Sequence, residues 1–197
     1  AFGRDAMAVA GSLTKTGSGR RGFDLTKIAA DGSVALATAT FGSAVGQYRC
    51  VRDNTTGLVW EAYAEIRQWR DPNPATNGGF VGTENIGNTT DAYVTEANSG
   101  AGARCNRTTW RLPTARELLS ITTFESKDRL LLADSNFFNS GLSTYFWTSQ
   151  TNPAFPEHAF VVTLVDNGNP YPNPVLVKVV AETNKVLSQR AILVSSQ

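Results

Sequence analysis

Histidine is almost absent from this chain: His158 is the only one, and cysteine is confined to Cys50 and Cys105. With no C-x-x-C pair and no histidine near either thiol, a zinc site is excluded, because zinc takes closely spaced nitrogen and sulfur ligands. Oxygen ligands are no better gathered. Asp166 and Asn167, with Asn173 in Pro172-Asn173-Pro174, are too few for calcium, which takes about six to eight. A serine nucleophile elbow, H-E-x-x-H, a P-loop and G-x-G-x-x-G are all missing. No metal, no cofactor and no catalytic residue is therefore expected, and the chain is read as something other than an enzyme. Charge is sparse at 18%, and the formal net charge of +1 gives no field to attract nucleic acid or an anionic membrane. No apolar run reaches the ~18 residues needed to span a bilayer. A basic-then-apolar leader is also missing, and Ala1 suits the residue left by a signal-peptidase cut, which reads as a mature form.

What is present is the make-up of a folded domain: 41% hydrophobic residues, with ten Phe, five Tyr and four Trp. A chain of 197 residues supports one core, so 1–197 is read as a single domain. Residues 1–21 are taken as an N-terminal strand or extension, with the apolar stretch 6–13 ending at a Gly/Ser-rich turn. Residues 23–28 and 48–52 alternate apolar and polar as half-buried strands do, and Asp31-Gly32 signals a hairpin turn before a strand at 34–36. Residues 71–88, rich in Pro, Gly, Asn and Thr, form a long surface loop. Helices are expected at 91–98 and at 114–121, the second opened by the capping-box pair Thr114 and Glu117. Strands follow near 146–148, 159–165, 175–180 and 191–194. Strands, loop, two helices, then strands is an α+β order.

Cys50 and Cys105 are either unrelated buried thiols or disulfide partners. Scarce lysine and abundant Asn, Thr, Ser and Gly around both are the company kept in exported proteins. That favours the bond, which the loop-entropy model values at about 4 kcal/mol.

Cys50-Val51-Arg52-Asp53-Asn54-Thr55-Thr56-Gly57-Leu58-Val59-Trp60-Glu61 resembles the C-V-x-D-N-x-T-G-L-x-W-E signature of a bacterial surface-protein family. The family is named after the C-terminal domain of the Legionella collagen-like protein (Lcl), an adhesin. Its W-R-L-P-T-x-x-E-L block is matched by residues 110–118, while residues 145–149, with Thr148 at the first serine position, resemble its Y-x-W-S-S strand and 189–194 its last strand, so the resemblance runs from about 22 to 197. It implies a C-type-lectin-like fold: a twisted antiparallel sheet, two flanking helices and long loops. It also implies export, secreted or at the cell surface, and both cysteines fall in family motifs. Relatives that are enzymes use a cysteine pair in the C-terminal half, where this chain has none after Cys105. Trp60 and Trp110 are read as core, and Arg111 as the ion-pair partner of Asp53 or Glu117.

Binding through loops is the remaining reading. The stretch 148–174 gathers aromatic and amide side chains, which make adaptable contacts at little entropic cost. Phe155, His158, Asn167, Asn169, Tyr171 and Asn173 are the candidate ligand-facing residues. A basic patch of Arg104, Arg107 and Arg116, with Arg67, Arg70 and Arg111 nearby, is the alternative surface. The expected partner is a surface glycan or protein. The competing reading is a structural subunit of a homo-oligomer or filament, packed through residues 6–10.

Overall fold

The computed structural model describes residues 4–79, 81–82, 87–100, 104–123, 131–132, 134–139, 145–164, 177–185 and 187–196. The chain opens with helix α1 (Arg4–Val9). A four-stranded antiparallel sheet follows, in the order β1 (Leu25–Ile28), β2 (Cys50–Asp53), β3 (Val59–Glu61) and β11 (Val194–Ser195). A five-stranded sheet has the order β4 (Glu65–Gln68), β10 (Ser188–Ala191), β7 (Tyr145–Thr151), β8 (His158–Leu164) and β9 (Val177–Asn184). Its pairs are antiparallel except β10 with β7, which run parallel with Arg190 opposite Phe146. A small ladder joins β5 (Thr122–Thr123) to β6 (Leu131–Leu132), and helices α2 (Thr90–Asn98) and α3 (Ala115–Ser120) complete the elements.

Two hydrophobic clusters are separated by strand alternation. Successive side chains on a strand point to opposite faces. Val51, Trp60, Phe146, Val162, Ile192 and Val194 enter one cluster, and Cys50, Val59, Trp147, Val161, Ala191 and Leu193 the other. The fully buried run Ala191-Ile192-Leu193-Val194 thus crosses from one sheet to the other while feeding both cores.

The α+β class expected from the sequence is what is found, with its two helices at α2 and α3. Thr114 caps α3: its hydroxyl accepts from Glu117 N at 3.2 Å, and its backbone N–H donates to Glu117 Oε2 at 2.8 Å. Three expectations are corrected. The strands divide into separate sheets instead of one, because β11 pairs with β3 while β10, two residues earlier, pairs with β4 and β7. Residues 4–9 are helical, since Arg, Ala and Met are strong helix formers and Val9 is the lone β-branched residue of the stretch. Residues 34–36 form only an isolated bridge from Val34 to Ile28, and Val34 and Leu36 are exposed.

Candidate functional site

The signature residues build the frame. Asp53 accepts from Thr55 N (2.9 Å) and Thr56 Oγ1 (2.7 Å), which closes the β2–β3 turn, and Gly57 supplies the positive φ that turn needs. Asn54 Nδ2 donates to Asp24 Oδ1 at 2.8 Å, while Asp24 also accepts from Thr16 N and Gly17 N. This knits the N-terminal segment to the hairpin. Cys50 and Cys105 are bonded to each other. Beside that bridge, Glu61 is fully buried and receives Arg49 Nη2 at 2.9 Å, an Arg104 guanidinium N–H and the Tyr93 hydroxyl. Burial, and then the Glu61 charge, push the Tyr93 phenol far above its ordinary range.

Residues 110–114 are tied on both sides. Arg111 N donates to Val194 O at 3.0 Å, and Ser149 N donates to Pro113 O at 2.8 Å. Arg111 grips Glu117 bidentately, at 2.6 and 2.9 Å, so Glu117 and not Asp53 is its partner. That pair is the main reason the Glu117 carboxyl is held down at about 2; burial opposes it, and donation from Thr114 N adds to it.

At one end of the five-stranded sheet two loops meet. In the first, residues 71–79, Asp71 accepts from Asn73 N and Thr76 Oγ1, and buried Asn77 accepts from Gly79 N at 2.7 Å. In the second, the β7–β8 turn, Asn152 N donates to His158 O (2.9 Å), His158 N to Phe155 O (2.8 Å), and Ala154 N to Asn152 Oδ1 (3.0 Å). Gly78, at φ +66°, is where they touch: a Cβ there would lie 3.0 Å from Thr151 Cγ2 and 3.4 Å from Pro156 Cβ. Lys185 lies buried beneath both. Its Nζ donates to Asn77 O at 3.1 Å, its backbone N–H donates to Glu157 O at 3.0 Å, and its ammonium stands 4.1 Å from the Trp69 ring centroid. Burial pulls this lysine down to about 8, against the opposing charges of Asp71 and Glu157.

Phe155 projects from this frame with 52% of its surface exposed, its ring 6.0 Å from that of His158. His158 Nδ1 and Thr151 Oγ1 at the base of the turn are buried with no hydrogen-bond partner among the described residues. Phe155 and His158 are therefore brought together. Asn167, Asn169, Tyr171 and Asn173 lie outside the described residues.

The arginines are differently placed. Arg104 is committed to Glu61 and Glu96, Arg67 to Glu65 and Asn88, and Arg70 to Asp91. Arg107 donates to Ser196 O at 3.1 Å, and Arg116 is exposed on α3. Sequence reasoning missed the second loop as a neighbour of the first, Lys185 beneath them, and Glu61 as a buried anchor. Only Glu61 carried a signal, as the last residue of the signature.

Among the described residues no helix is long and apolar enough to cross a membrane. The profile of the Lcl C-terminal domain matches residues 49–181 of the chain. No curated protein and no solved structure matches it.

Proposed function

The chain belongs to the Lcl C-terminal domain family, a family of bacterial surface domains, and we propose that it is an exported adhesin-type domain that binds a glycan or protein surface through its paired loops. The observation that carries this reading is Phe155: a large aromatic left half-exposed on a turn whose backbone is fixed by its own hydrogen bonds and by Lys185 below. An apolar anchor on a preorganised loop loses little entropy on binding. The disulfide supports an oxidising, extracytoplasmic setting. Binding without catalysis is part of the proposal, supported by the commitment of Glu61 and Glu117 to arginines. So is the C-type-lectin-like assignment, supported by the first and last strands sharing one sheet. An array of glycans and extracellular-matrix proteins, probed with the purified domain, tests the reading. Saturable binding to at least one class is expected, and a blank array would overturn it.

One observation favours the assembly reading as a second proposal. Helix α1 leaves Val9 84% and Met7 39% exposed instead of packing them on a sheet. Size-exclusion chromatography coupled to light scattering decides it: a stable oligomer that Val9→Ser dissociates supports assembly, and a monomer removes it.

A further inference from the structure

The triplet Asn-x-Thr, the acceptor pattern for a sugar on an asparagine amide, occurs three times: Asn54-Thr55-Thr56, Asn88-Thr89-Thr90 and Asn106-Arg107-Thr108. The fold treats the three differently. We propose that Asn106 is a glycosylation site, and that the folded domain carries a sugar on its Nδ2 while Asn54 and Asn88 stay bare.

Transfer to an asparagine makes two demands on the acceptor. Its amide nitrogen must reach the donor, an activated sugar phosphate. The third position takes only Ser or Thr, so its hydroxyl must also be free to be read by the transferase. In the transfer the bond from Nδ2 to the sugar C1 forms and the bond from C1 to the donor phosphate oxygen breaks. The departing phosphate takes the electron pair, one amide proton is lost to base, and nothing is oxidised or reduced.

Two of the triplets fail these demands. Asn54 Nδ2 gives both of its hydrogens away, to Asp24 Oδ1 at 2.8 Å and to Thr26 Oγ1 at 2.9 Å. The Thr56 hydroxyl is donated to Asp53 Oδ2 at 2.7 Å. Asn88 is exposed, but its Oδ1 accepts from Arg67 Nη1 at 2.8 Å. Its Thr90 is fully buried, with the hydroxyl donating to Arg70 O and accepting from Arg70 N, both at 3.0 Å.

The third triplet meets them. Asn106 and Thr108 are both exposed, and neither side chain has a hydrogen-bond partner among the described residues. Asn106 holds φ at +56°, a left-handed backbone that asparagine tolerates and that sets a sharp bend just after the disulfide. The anchors of the bend lie on the residues around the acceptor pair. Cys105 is bonded to Cys50, Trp110 Nε1 donates to Arg104 O at 3.0 Å, and Arg107 Nη1 donates to Ser196 O at 3.1 Å. The backbone is thus fixed by its neighbours while the amide and the hydroxyl are left to solvent.

The test uses the protein recovered from the bacterium that makes it, digested and sequenced by electron-transfer mass spectrometry. The Asn106 peptide is expected to carry the mass of one or more sugar residues on that asparagine, and the Asn54 and Asn88 peptides none. Asn106→Asp and Thr108→Val, expressed in the same cells, should each abolish the increment, and Thr108→Ser should keep it. Absence of free thiols in each variant shows that the Cys50–Cys105 turn has formed. A bare Asn106 peptide from the native cells, sugar on Asn54 or Asn88, or an increment that survives Thr108→Val would overturn the proposal. None of these readouts involves the Phe155 loops, so the two readings stand or fall separately.

Discussion

Glu61 and Arg104 face each other at the point where the Cys50–Cys105 bridge closes. Cys50 is the β-ladder partner of Glu61, and Cys105 follows Arg104. One ionic and one covalent link therefore join the same strand pair to the same turn, in which Cys105 and Asn106 both hold positive φ. Removing one side of a buried ion pair leaves an uncompensated charge, so Glu61→Gln is expected to cost roughly 3 kcal/mol in urea unfolding.

The disulfide should show as an absence of alkylated thiols in the denatured, unreduced protein. Cys50→Ala with Cys105→Ala should cost about 4 kcal/mol. Because both links tether the same turn, combining it with Glu61→Gln should give less than the sum of the separate losses. Strict additivity would mean that the two act on separate parts of the fold.

Glu117 carries the acid dependence of α3. Its folded value of about 2 lies below its ordinary 4.5, so its contribution is present above pH 4.5 and is lost as pH falls toward 2. The Arg111 side of the pair is partly exposed to solvent, which screens it, so the contribution is on the order of 1 kcal/mol or less. Thermal melts of the wild type and Glu117→Gln should converge across that window; curves that stay parallel would remove this role.

Lys185 acts at the other end of the scale. Its folded value of about 8 lies below its ordinary 10.5, so between these the unfolded chain binds more protons and stability rises with pH. Melting temperatures of the wild type relative to Lys185→Met should climb from pH 8 towards 10.5. A flat difference would show that the ammonium is not confined beneath the loops.

Legibility from the sequence followed locality. The capping box at Thr114 and Glu117 and the turn at Asp53 to Gly57 rest on neighbours a few positions apart, and both are found; the strand expected at 48–52 is found at Cys50–Asp53, with Cys50 and Val51 both buried instead of alternating. The stretch 6–13 misled because a short apolar run without clear period fits helix or strand. Lys185 beneath Asn77, and Arg20 N donating to Asp134, join segments far apart in the chain, and one sequence carries no trace of such pairings. Phe155 was visible as an aromatic among prolines and amides; the loop that Gly78 brings against it was not.

Whether Phe155 anchors a ligand on the paired loops is decided by comparing array-identified binding for the wild type and Phe155→Ala at low and high salt. Phe155→Ala should weaken binding at least tenfold, about 1.4 kcal/mol, with little effect of salt. Stability should change by no more than about 0.5 kcal/mol, as for an exposed position. Full affinity in Phe155→Ala, with binding that collapses in high salt and in Arg107→Ala with Arg116→Ala, would contradict it and move the ligand to the arginines.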